Sequence, residues 1–213
     1  MTTLTDLAQT HLIQHDPILA PIIKACGPYT VKPHKDYYQA LVSSIISQQL
    51  SVKVAATIQQ RFCTLFGAKT LPTPEQILSK NIEELRDVGL SRPKAGYIQD
   101  LAVHILDGKV TFNHFNTLSN EEIIAELIAV KGIGVWTVHM FLMFCMGRLN
   151  VLAHGDLGIK NGVQKLYGLD HLPSQDDIQE IAEKYHWHPY ESVACWYIWK
   201  SVNLTQNYSS AKL

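Results

Sequence analysis

The sequence predicts an all-α protein, on three observations. Apolar residues recur at helical spacing along most of its 213 residues. Helix-start patterns of the capping-box kind appear at Thr73-Pro74-Glu75-Gln76 and Ser119-Asn120-Glu121-Glu122, with a near variant at Ser174-Gln175-Asp176-Asp177. Period-two alternation is missing, and Lys109-Val110-Thr111-Phe112 is the one candidate strand. Roughly ten helices with short connections are expected.

Asp16-Pro17 reads as an N-cap with proline at the first helical position, opening a helix that Gly27-Pro28 stops. Tyr37 to Leu50 carries Leu41, Ile45 and Ile46 on one face, and Ser51 to Phe66 continues with Val54, Ile58 and Phe62. Ser91 to Leu106 and Tyr190 to Val202 are further amphipathic segments. Glu121 to Ala129 is a polar-apolar helix and Trp136 to Met146 a much more apolar one. From about Gln206 the chain reads as a loose tail. A helical protein has no sheet edge or strand switch point to host a ligand, so sites must lie between helices or at their ends.

Composition limits the function classes. With 46% hydrophobic and 17% charged residues the chain is globular in type. Its formal net charge of −1 does not advertise a large phosphate-neutralising surface, although backbone amides and a few lysines suffice for two or three phosphates. Cys26, Cys63, Cys145 and Cys195 form no C-x-x-C pair, which gives neither a local zinc or iron–sulfur motif nor a disulfide framework. They read as free thiols in a reducing compartment. The ten histidines show no metal-ligand spacing, so no metal is expected. No secretory signal is expected from MTTLTDLAQTHLIQHD, and no apolar run approaches the roughly 18–20 residues that span a bilayer, so no membrane partner is expected.

The most informative segment is Val130-Lys131-Gly132-Ile133-Gly134-Val135-Trp136-Thr137, where two glycines join the two helical patterns, with Gly155-Asp156-Leu157-Gly158-Ile159-Lys160 downstream. Glycines at such a junction serve close helix packing. Alternatively, a bare hairpin ending at a helix N-terminus presents amide N–H groups to a phosphate oxygen. Lys131 would add a cation there and Thr137 a hydroxyl donor. Asp156 reads either as a helix-capping acid or as a catalytic carboxylate.

These segments resemble the helix-hairpin-helix-GPD superfamily of DNA glycosylases, in its 3-methyladenine-DNA glycosylase II branch. Three more stretches carry the resemblance: Ile46 to Ser51, Val88 to Ala95, and Pro189-Tyr190 through Trp196-Tyr197-Ile198-Trp199. The resemblance implies two helical lobes with the active-site cleft between them. One would span residues 36–150, with the helix-hairpin-helix at about 121–146, and the other 1–35 plus 151–213. It makes Asp156 the essential aspartate and puts Trp136 and Trp199 in the base pocket, where Met140 and Tyr38 are further candidates. Gln48, Gln49 and Leu50 fall at the bend that plugs the gap left by a flipped nucleotide, with Gln49 or Leu50 as the plug. Lys131, Gly132, Ile133, Gly134 and Thr137 would hold the DNA backbone.

Relatives that also cut the strand carry a lysine where this chain has Trp136, so the resemblance implies excision of alkylated purines from double-stranded DNA without strand cutting. It implies a monomer that needs no cofactor, apart from a monovalent cation that hairpin carbonyls could hold. Residence would be cytoplasmic with the nucleoid in a bacterium or archaeon, and nuclear in a eukaryote. A non-catalytic binder of abasic or damaged DNA is the alternative. The chain departs from the family pattern at Val135, at Ala153-His154 and at Glu191.

Overall fold

The computed structural model describes residues 3–34 and 36–210, with side chains as far as Val202. Twelve α-helices follow one another among these residues: α1 (Leu4–His15), α2 (Ala20–Cys26), α3 (Tyr37–Ser47), α4 (Val52–Leu65), α5 (Pro74–Leu78), α6 (Ile82–Asp87), α7 (Arg92–Leu106), α8 (Asn120–Leu127), α9 (Val135–Met140), α10 (Leu157–Tyr167), α11 (Gln175–Lys184) and α12 (Glu191–Ser210). A 3₁₀ turn covers Phe112–His114, and a π-helical stretch, Phe141–Met146, continues α9. The candidate strand at Lys109–Phe112 is not formed. Val110 is buried there, and Thr111 N–H is taken by the Glu126 carboxylate at 3.0 Å rather than by a neighbouring strand. No single described helix is long and apolar enough to cross a membrane.

Local sequence decides most helix starts. Thr73, Ser119 and Ser174 each accept the N3 backbone N–H, while Gln76, Glu122 and Asp177 reach back to the cap, completing three capping boxes. Asn81 and Glu84 form a further one at α6. Asp16 caps as expected, accepting from the amides two and three residues on, but regular helix starts later than expected. The helix after it begins only at Ala20, with Pro21 in its first turn. The Asp16 carboxyl is fully buried and accepts from four donors: Ile18 N (2.9 Å), Leu19 N (2.8 Å), Tyr167 Oη (2.5 Å) and Trp187 Nε1 (2.8 Å). Burial beside this carboxyl drives the Tyr167 phenol far above its ordinary range. The tail expected from about Gln206 has helical backbone as far as Ser210, and its last three residues lie outside the described ones.

The chain forms two compact units, one made of residues up to Pro33 together with those from Leu142 onward, the other His34–Phe141. The second boundary therefore falls inside the apolar helix and not after Asn150. Ser192 explains why residues 148–151 join the first unit. Its hydroxyl donates to Arg148 O (2.7 Å) and accepts from Val151 N (3.0 Å), and its amide donates to Leu149 O (2.9 Å).

In the first unit α10 lies against α12, and α12 also packs on α1 and α2. Tyr197 Oη secures the end of α2 by donating to Gly27 O at 2.8 Å. A side chain at Gly162 would come within 2.3 Å of Ile198 Cγ2, so the helices touch where α10 is bare. Cys195 on α12 is fully buried, which pushes its thiol up to about 12, and burial also raises Cys26 and Cys63. In the second unit Leu41, Ile45, Phe62, Leu85, Ile98 and Leu101 fill the core between α3, α4, α6 and α7. Tyr37, Phe112, Phe115 and Phe141 form an edge-to-face aromatic cluster beside it.

The Asp16 cluster generates a stability prediction. Asp16→Ala leaves four donors without their acceptor, and two of these, the Trp187 and Tyr167 side chains, sit in packed surroundings. The variant should lose about 3 kcal/mol or more of unfolding free energy, read by urea denaturation as a lower midpoint at unchanged slope.

Candidate active site

The hairpin begins where α8 ends and the chain must reverse into α9. Gly132 has φ +81°, and a Cβ there would lie 2.1 Å from the Tyr97 ring, so its glycine is required by the fold itself. Gly134 differs. Its φ is −99°, a conformation open to any residue, and a Cβ would meet nothing within 4 Å. Ile133 is buried and anchors the turn, with its amide donating to Val130 O at 3.1 Å. Lys131 N donates to the Asp100 carboxylate (2.8 Å), and the exposed Lys131 ammonium lies 3.6 Å from the same group. Thr137, expected to offer a hydroxyl in the first turn, is instead buried. Trp136 is half exposed and so is not a core residue, while Met140 is partly buried.

The α3–α4 corner lies in the same unit. The helix direction turns by 120° there, across a connection that holds Gln48, Gln49 and Leu50. Gln49 has φ +56°, a left-handed conformation costing a non-glycine residue roughly 1–2 kcal/mol. Gln49 and Leu50 are exposed. The Gln48 side chain is not directed outward: its Nε2 donates to Gly132 O at 2.8 Å. Lys94 closes the corner from below, with Nζ donating to Ile46 O (2.9 Å) and Gln48 O (2.6 Å). Tyr38, expected near a base pocket, has its phenol committed to Pro72 O at 2.6 Å, and burial raises its pKa.

Asp156 and Trp199 come together in the other unit. Asp156 is the N-cap of α10, and its Oδ1 accepts from Ile159 N (2.9 Å) and from Trp199 Nε1 (2.8 Å). The capping alternative for Asp156 is thus formed, and the residue is partly exposed. Trp199 also lies 5.7 Å, centroid to centroid, from Phe144. Gly158 makes the pair possible, because a Cβ there would sit 2.9 Å from Asp156 Oδ1 and from Trp199 Cδ1 and Nε1. His154 is held by its own loop, Nδ1 lying 2.9 Å from Leu152 O.

Sequence reading passed over two groups. Gly158 and Gly162 stand four residues apart on one face of α10, a spacing that signals close helix approach. Lys94 stands in the first turn of α7, where a cation opposes the helix dipole, and that misfit was its visible sign. Among the described residues no His, Cys, Asp and Glu are grouped to hold a metal ion. The hairpin carbonyls of Val130 and Gly132 accept from Ile133 N and Gln48 Nε2.

Comparison with known proteins identifies the family. The model of the HhH-GPD superfamily base excision DNA repair protein matches residues 42–186. DNA-3-methyladenine glycosylase 1 of Schizosaccharomyces pombe is 34% identical over 210 residues, covering 96% of this chain and 90% of that protein. The crystal structure of DNA-3-methyladenine glycosidase from Bacillus halodurans superposes with a TM-score of 0.82 at 36% identity, over 91% of this chain and 88% of that one. A Schizosaccharomyces pombe 3-methyladenine DNA glycosylase in complex with abasic DNA gives 0.78 at 32% identity, over 92% and 96%. This chain belongs to the HhH-GPD superfamily of base excision DNA repair proteins.

Proposed function

We propose that this chain is a monofunctional DNA glycosylase that excises alkylated purines, 3-methyladenine and related bases, from duplex DNA. The observation that carries the reading is Asp156, a partly exposed carboxyl fixed through one oxygen by Ile159 N and Trp199 Nε1. The names of the relatives, and the abasic DNA held by one of them, support it.

The chemistry follows from charge. As the C1′–N bond breaks, its electron pair neutralises the cationic alkylated purine, and positive charge develops on the sugar. A carboxylate already oriented by two hydrogen bonds stabilises that charge without reorganising. Water then forms the C1′–O bond and releases a proton, leaving an abasic site. The leaving base is already cationic, so one carboxylate suffices where most glycoside hydrolases need two. Trp136 provides no amine for a Schiff base, so the strand stays intact. Its half-exposed ring suits stacking on a cationic base, at roughly 0.5–2 kcal/mol per contact.

The hairpin supplies the grip. Gly134 is bare for no internal reason, which fits close approach of a phosphate to the α9 amides, and Lys131 adds an exposed cation. Gln49 or Leu50, exposed at the corner, would fill the space of the extruded nucleotide. The protein acts as a monomer in this reading.

Three measurements test it. Asp156→Asn should slow single-turnover release of methylated purine by about 10²–10³-fold while abasic DNA is still bound. Wild-type protein that binds abasic DNA but releases no base would instead be a non-catalytic binder. Gly158→Ala keeps the Trp199 ring but forces its contact with Asp156 to shift, so excision should slow about 10-fold or more with little change in melting temperature. Lys131→Ala should weaken damaged and undamaged duplex alike and reduce the slope of log K against log salt by about 0.9.

A further inference from the structure

One hydrogen bond joins the α3–α4 corner to the hairpin, and two more tie the corner to α7. Lys94 Nζ donates to Ile46 O and Gln48 O, and Gln48 Nε2 donates to Gly132 O. Each end of this relay is itself fixed. Lys94 stands on α7, whose Tyr97 ring packs at Gly132, and Asp100 one turn on accepts from Lys131 N at 2.8 Å. At the corner, Leu50 N donates to Ser47 O at 3.1 Å, closing the turn around left-handed Gln49.

The placement of Lys94 argues for a purpose beyond packing. A cation in the first turn of α7 meets an unfavourable dipole, whereas the C-terminal carbonyls of α3 attract it. Its ammonium occupies the position of a C-terminal cap, satisfying carbonyls that the end of α3 leaves without intrahelical donors. Gln48 then passes the constraint on. Its backbone carbonyl is held by Lys94 and its side chain holds the hairpin, so the residue before exposed Gln49 and Leu50 is tied at both ends.

We propose that Lys94 and Gln48 are positioning residues that lock the α3–α4 corner to the hairpin, so that the brace serves extrusion of the damaged nucleotide from the duplex rather than cleavage of its glycosidic bond. This rests on the corner entering duplex DNA, as in the glycosylase reading above. A corner held in place before contact inserts without first having to be ordered, and the hairpin's hold on the backbone sets where it inserts. Extrusion costs a few kcal/mol in paired DNA and far less where the base is already unpaired. Loss of the brace should therefore slow paired substrates selectively.

The test uses the full chain with Lys94→Met, Lys94→Arg, Gln48→Met and wild type. Each is assayed for single-turnover excision of one methylated purine in a fully paired duplex and in an unpaired bulge, with 2-aminopurine beside the lesion reporting unstacking. Lys94→Met and Gln48→Met should lower the duplex-to-bulge rate ratio about 10-fold, in step with slower 2-aminopurine unstacking, and Lys94→Arg should restore most of it. Equal losses on both substrates, or an unchanged ratio, would overturn the proposal even with wild-type activity intact. Wild-type protein inactive on both substrates would instead overturn the glycosylase reading beneath it. Gln48→Met alters one side chain at a partly exposed position, so it keeps the test open if Lys94→Met fails to fold.

Discussion

The close crossing of α10 and α12 is the constraint on which the candidate chemistry depends. Two glycines one helical turn apart, Gly158 and Gly162, remove the side chains that would hold the helices apart. Trp199 can then reach across and donate to Asp156. The carboxyl is oriented by a ring on a different helix and by the first turn of its own helix at once. Both of these donors are neutral N–H groups, preorganised before any charge develops on the sugar.

The hairpin shows two glycines of different standing within three residues. Gly132 answers to the fold: its positive φ and the Tyr97 ring leave room for nothing larger. Gly134 answers to no neighbour within the protein. The contrast separates residues that make the loop from a residue that leaves the loop open to something outside it. Lys131 belongs to both classes, with its amide tied to Asp100 and its ammonium largely in solvent.

Much of this was legible in the sequence, and the failures have a common cause. The capping boxes at Thr73, Ser119 and Ser174 formed as read because all their partners lie within one turn. The helices α3, α4 and α7 likewise formed, although Val54, read on the apolar face of α4, is exposed while Ile58 and Phe62 are buried. Asp16 was legible as a cap through Ile18 N and Leu19 N, whereas its other two donors, Tyr167 and Trp187, arrive from the far end of the chain. Gln48 was placed at the bend with Gln49 and Leu50, and nothing in its sequence neighbourhood announces its bond to Gly132. Trp199 was read as a base-stacking ring, and its hydrogen bond to Asp156 needed the α10–α12 crossing to become visible. Local chemistry was readable; side chains spent on distant backbone were not.

The burial of the thiols has a consequence for a protein working where alkylating agents are present. Thiolates are among the most reactive nucleophiles in a cell, and the agents that methylate purines would attack them too. Cys63, Cys145 and Cys195 are buried, and desolvation raises the Cys26, Cys63 and Cys195 thiols above their ordinary range. The same packing that brings α12 against α10 thus shields Cys195 from the agents whose damage the protein would remove.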